Sequence, residues 1–89
     1  MTKAEIEEFI KENGGEDYEI LLADGFENAF IGLAFQFNKP LACYDYDKCI
    51  ECLIDEETTE EDAIEHMSFN VEGSWVGEFT PLFMRTIKK

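Results

Sequence analysis

Three thiols, one imidazole and a dense run of carboxylates carry whatever chemistry this chain can do. Cys49-x-x-Cys52, taken with Cys43 and His66, has the residue types of a zinc site. The spacing argues against one, because the pair falls within a predicted helix and lacks the knuckle turn of structural zinc. Cys49 lies on the apolar stripe of that helix and Cys52 to one side of it, so buried reduced thiols are the better account. A redox Cys-x-x-Cys needs its first thiol at an exposed helix start, whereas Cys49 faces the apolar side. Residues 45–56 set Asp45, Asp47 and Glu56 where a calcium loop has its first, third and last ligands. Ile50 occupies the position where that loop turns sharply on Gly, and a helical stripe through the segment forbids loop geometry. His66 is the chain's one histidine and Ser68 and Ser74 its two serines, which leaves few parts for nucleophilic catalysis. His66 flanks an apolar stripe and reads as a packed or half-exposed residue. No Gly-rich phosphate loop follows a strand. The expectation is a non-enzyme with no catalytic, cofactor-binding or metal-ligating residues.

The carboxylates are the stronger signal. Residues 55–66 hold seven of them (Asp55, Glu56, Glu57, Glu60, Glu61, Asp62, Glu65) and no Lys or Arg. Glu60, Glu61 and Asp62 fall in the first turn of a predicted helix, where the positive end of its dipole favours them. Asp55, Glu56 and Glu57 end the preceding helix, where the dipole disfavours them, so local stability gives no reason for those three. A solvated, solubilising face is the bland account of such a run. The functional account is a surface that imitates phosphates or docks a basic groove. Tyr44, Tyr46 and Trp75 stand beside carboxylates and are of the type enriched at interface hot spots, with burial of Tyr44 and Trp75 in the core as the alternative. Tyr46, Trp75 and the seven acids are the candidate partner-binding residues. The third possibility for function, a small nucleotide binder or enzyme, would have to use Asp45, Asp47, Asn70 and Glu78, and no motif supports it.

The elements that must position these residues follow from pattern. The chain of 89 residues is read as a single acidic domain over 1–89, with net charge −14. Eight Phe, three Tyr and one Trp give it the aromatic content of a globule. Thr2 and Glu5 form a capping box for a first helix over 2–13, ended by Asn13–Gly15. Residues 16–28 read as a short helix, with an irregular packed segment as the alternative. Residues 29–37 alternate as a strand, Ile31, Leu33, Phe35 and Phe37 falling on one face. Asn38–Pro40 turns the chain into a return strand over 41–44. Asp45 caps a second helix with its stripe at Tyr46, Cys49, Ile50, Leu53 and Ile54. Thr58 and Glu61 form a second capping box, and the helix it opens carries the stripe Ala63, Ile64, Met67, Val71, with Phe69 off it. Gly73 ends that helix, 74–81 is a loop, and 82–87 is a final strand. The fold class is α+β, a small antiparallel sheet (hairpin plus C-terminal strand) packed by two or three helices.

Charge is uneven along this order. Residues 45–65 carry net −9 and residues 1–19 net −5, whereas 20–44 carry −1 and 66–89 carry +1. So large an acid excess argues against direct contact with nucleic acid or an anionic membrane. It favours a basic surface on a partner protein, with self-association the alternative. No apolar run approaches a membrane span. The N-terminus reads as an acidic amphipathic helix, not a signal peptide, and the odd cysteine count suits a reducing compartment. The expected location is cytoplasmic.

Residues 24–32 (DGFENAFIG), 44–51 (YDYDKCIE) and 60–81 (EEDAIEHMSFNVEGSWVGEFTP) together resemble a family of short proteins common in phage and prophage genomes. Its members share a D-G-F/L-acidic-x-A-F/I-I-G element and a Y-D-Y/R-x-K-x-I-E helix. These precede E-E-A-I-E-aromatic-F-x-F-N-V-x-G-A-W-V-G-E-x-T-P. The span from Asp24 to Pro81 covers about two thirds of the chain. His66-Met67 departs from the aromatics common there, and Ser74 from the usual Ala. The resemblance brings no catalytic or binding residues. It implies an accessory gene of phages or mobile elements acting in the host cytoplasm. The function expected is a non-catalytic acidic protein that binds a host protein and inhibits a defence or nucleic-acid enzyme, with DNA mimicry as a sub-case. A structural or oligomerising accessory protein is the alternative.

Overall fold

The computed structural model describes residues 1–54 and 58–87. Helix α1 (Lys3–Glu12) starts at Thr2, whose hydroxyl accepts the Glu5 N–H while the Glu5 carboxylate accepts the Thr2 N–H. The predicted capping box is therefore present, and these backbone and hydroxyl hydrogen bonds hold the Glu5 carboxyl below its usual pKa. Ile6 and Ile10 are the buried face of α1. The expected helix within 16–28 does not form beyond one 3₁₀ turn, Glu27–Ala29. Tertiary contacts take over: Ile20, Leu22 and Ala23 pack on the core, and the Ala23 N–H donates to the Tyr44 hydroxyl at 2.9 Å.

Strands β1 (Phe30–Gln36) and β2 (Lys39–Asp45) form the hairpin. Gln36 pairs with Lys39, so the turn is Phe37-Asn38, one step earlier than the Asn38–Pro40 turn expected from the prolyl residue. Both turn residues have positive φ, 53° and 64°, which is the hand that matches strand twist in a two-residue hairpin. Pro40 lies within β2, opposite Phe35. The pairing shifts between Phe30 and Gly32, which takes Ile31 out of the ladder and breaks the simple alternation expected of β1. Ile31, Phe35 and Phe37 are exposed, Leu33 is half-buried, and Phe30 packs on the core.

Helix α2 (Tyr46–Leu53) is capped by Asp45, whose carboxylate accepts the Lys48 N–H at 3.2 Å. Its helical geometry leaves no calcium loop over 45–53. Helix α3 (Glu60–His66) runs directly into a π-helical turn, Met67–Val71. The last strand, β3 (Leu82–Met84), is shorter than expected. It also pairs with β2 in parallel, so the sheet is mixed in the order β1-β2-β3, not wholly antiparallel. The physical reason is the route: two helices and a turn lie between β2 and β3, and a crossover of that length can deliver a parallel strand where a hairpin cannot. The α+β class stands.

The central strand explains the core. Five consecutive residues of β2, Pro40–Tyr44, are buried, so both of its faces are covered. Ala42 and Tyr44 join Phe26, Ala29, Cys49, Ile50, Ala63 and Met67 in one cluster. Aromatic contacts cross the sheet through it: Phe9 to Phe30 at 5.9 Å, Phe30 to Tyr44 at 5.6 Å, Tyr44 to Phe83 at 5.7 Å. Tyr44 is thus core, its hydroxyl satisfied by Ala23.

Candidate binding surface

The C-terminal third sends Ala63, Met67 and Phe83 to the core and leaves a surface of exposed side chains outside it. It begins at Thr59, not Thr58, whose hydroxyl accepts the Asp62 N–H at 3.2 Å and opens α3. Ala63 and Met67 take the buried side, as their spacing predicts, while Ile64 is exposed. Glu60, Glu61, Asp62 and Glu65 are all exposed and have no ion-pair partner among the described residues. Asp55, Glu56 and Glu57 lie outside the described residues.

After His66 the chain widens into the π turn, closed by the Glu72 N–H donating to the Met67 carbonyl at 2.6 Å. Such turns insert an extra residue into the helical ladder and recur at functional sites. Here the turn buries Met67 completely and leaves Phe69 75% exposed. His66 is exposed, not packed or half-exposed as its place beside the stripe suggested, because the buried side of the helix goes to Ala63 and Met67; the Asn70 amide meets its Nδ1 at 3.4 Å. Gly73 is required where the turn ends, because a Cβ there would overlap the Ser68 carbonyl. The Ser74 hydroxyl then donates to the Asn70 carbonyl.

The following loop is fastened by one side chain. The Thr80 hydroxyl accepts the Val76 N–H at 3.0 Å and donates to the Gly77 carbonyl at 2.6 Å. Gly77 has φ +128°, a conformation that side-chain-bearing residues rarely adopt. Trp75 (75% exposed) stands just before this tie, and Val76 (61%) within it. Between this loop and residues 21–26 lies a groove of about 390 Å³, walled mainly by apolar side chains such as Leu22, Phe26, Val71 and Phe83, with Asp24, Asn70, Ser74 and Thr80 as polar groups.

Tyr46, the other aromatic candidate, is differently placed. It is half-buried, and the Arg85 guanidinium stacks on its ring at 4.0 Å. Arg85 also forks onto Glu72, at 2.7 and 2.9 Å. This fork, with Tyr46, raises the Arg85 pKa further above its usual value. The clip joins β3, α2 and the end of the π turn. Tyr46 and Trp75 are therefore not one patch: the first is packed under Arg85 and the second is exposed to solvent.

The thiols stay protonated at neutral pH. Burial pushes Cys49 up to about 12, with Cys52 and nearby carboxylates adding to it, and burial and Asp45 raise Cys43. Cys52, although exposed, is raised by partial desolvation and by Glu51. Among the described residues no group of three His, Cys, Asp or Glu side chains is placed to hold a metal ion. No helix of the described chain is long and apolar enough to cross a membrane.

Sequence reasoning singled out Trp75 and the α3 carboxylates, and it flagged Phe69 as off the stripe. It missed Arg85, Thr80 and the groove. A lone arginine in a strand and a threonine before a proline give no signal of the contacts they make forward and back along the chain. No family model, curated protein or solved structure matches this chain.

Proposed function

We propose that this chain is a non-catalytic accessory protein of a phage or mobile element that binds a host protein, inhibiting a defence or nucleic-acid enzyme. The observation that carries this reading is the exposure of Trp75 on a loop whose shape Thr80 fixes. A large aromatic held in water contributes little to folding. Pre-set in position, it loses little conformational freedom on contact, which is how interface hot spots act. The adjoining groove offers a place for an apolar side chain of the partner. The carboxylates of α3 supply attraction to a basic surface and set the approach of the partner. The resemblance to phage and prophage proteins supports the setting, and its longest motif spans α3, the π turn and the Trp75 loop.

The test is retention of a partner from a bacterial host lysate at low and high salt. One stoichiometric protein is expected. It should be lost with Trp75→Ala, lost with the four α3 carboxylates changed to Lys, and weakened steeply as salt screens the acidic face. The variants are checked for native circular dichroism. A partner indifferent to both changes would remove this surface from the function and return the α3 acids to a solvating role.

A further inference from the structure

The sheet has a second unpartnered feature, remote in sequence from the Trp75 loop. We infer that the outer edge of β1 pairs antiparallel with the same edge of a second copy of this chain, joining two three-stranded sheets into one continuous sheet. This rests on β1 alone and stands apart from the host-partner reading.

β1 has a neighbour on one side only. Among the described residues, its backbone makes one hydrogen bond beyond the ladder with β2, from the Phe30 N–H to the Glu27 carbonyl at the start of the strand. The other row of N–H and C=O groups is left for water. Proteins ordinarily defend such an edge with charge, proline, shortness or a covering segment, because it templates pairing with another strand. Helix α1 packs against β1 through Phe9 on Phe30, but the strand has neither charge, proline nor shortness to defend it. It is seven residues long, and its irregularity is confined to the start, so that Gly32–Gln36 pair regularly. Residues 28–38 form the longest stretch without an ionisable side chain in a chain that has 21 acids and 7 bases. Ile31 is 46% exposed, Phe35 55% and Phe37 95%.

Charge decides the occupant. A chain of net charge −14 repels its own copies over most of its surface. β1 itself brings no carboxylate to such a meeting, and it is the longer of the two edge strands. A basic partner, by contrast, would find nothing there to neutralise. Main-chain pairing of identical uncharged strands satisfies both rows of backbone groups and covers the exposed apolar side chains. The apolar surface on offer is on the order of 400 Å² per copy, about half of one partner's share in a standard interface, so the dimer is weak and reversible.

Sedimentation velocity from about 10 μM to about 1 mM at near-physiological salt tests this. A monomer–dimer equilibrium is expected in that range. Hydrogen exchange should slow with concentration at the β1 amides that point away from β2. Phe35→Lys should be monomeric throughout. If its circular dichroism shows a loss of fold, Phe37→Asn serves instead, since Phe37 is 95% exposed, and it should weaken the dimer at least tenfold. Trp75→Ala should dimerise as the parent does. A monomer at about 1 mM would overturn the inference. So would a dimer that survives the edge variants, or one that Trp75→Ala abolishes, which would place the interface on the C-terminal loop.

Discussion

The two edges of the sheet are built on opposite plans. β1 is long, uncharged and open along its outer side. β3 is three residues long and runs parallel to β2, and Arg85, which follows it at once, is forked onto Glu72 and stacked on Tyr46. A short edge with a clipped arginine has little left to offer a strand, whereas β1 keeps the outer backbone groups of Gly32–Gln36 available. The contrast teaches that apolar exposure in this molecule takes two forms. On β1 it accompanies unpaired backbone and suits strand addition. On the Trp75 loop beside β3 it accompanies a groove and a fastened turn and suits side-chain recognition.

Tyr44 is where the two edges depend on each other, since its ring meets Phe30 of β1 and Phe83 of β3. Tyr44→Ala should be the largest disruption, costing about 3–5 kcal/mol in urea or thermal unfolding and loosening both edges together. Tyr44→Phe separates the hydroxyl from the ring. It should cost about 1–3 kcal/mol by leaving the Ala23 N–H without its acceptor.

Alkaline pH attacks the shared core next. The Cys49 thiol titrates at about 12 in the folded protein, against 9.0 when unperturbed. The neutral thiol is therefore favoured by folding, and its contribution is complete below the unperturbed value and lost as pH rises through the folded one. Unfolding free energy should fall by about 2 kcal/mol by about pH 10.5, and Cys49→Ala should flatten that part of the profile. At pH about 8 a thiol reagent should modify exposed Cys52 well before Cys43 or Cys49.

Changes at single edges are smaller. Phe37 holds φ +53° with its ring in water, so Phe37→Asn, which tolerates that conformation, should stabilise the hairpin by about 1 kcal/mol. Arg85→Ala should leave global stability nearly unchanged while speeding amide exchange in β3 and not in β1. Equal acceleration in both strands would mean that the clip holds the whole sheet and that the contrast between edges is false.

Much of the scaffold was legible because its signals are local. Thr2 with Glu5 and Asp45 before its stripe each satisfy orphan N–H groups within one turn, so sequence spacing alone locates those helix starts. The same holds for the buried side of α2, where Cys49 and Ile50 follow the 3.6 period. Thr59 in place of Thr58 shows the limit of such signals, since either hydroxyl is near enough to cap and geometry chooses. The candidate surface was legible in part: Trp75 and the acids of α3 could be named, but the exposure of Trp75 could not.

What the sequence determined by itself was therefore the α+β class, the order of the elements, the acidic character of the helices and the neutrality of the strands. These depend on residue type and short-range spacing. The tertiary structure alone decided that β3 joins in parallel, that residues 16–26 stay irregular, that Tyr44 is core while Trp75 is surface, and that Arg85 reaches back to Glu72 and Tyr46. Each of these is set by which segments compete for the same two faces of β2. Burial there goes to the groups that fill the space and satisfy their hydrogen bonds, a contest between residues far apart in the chain that no local pattern records.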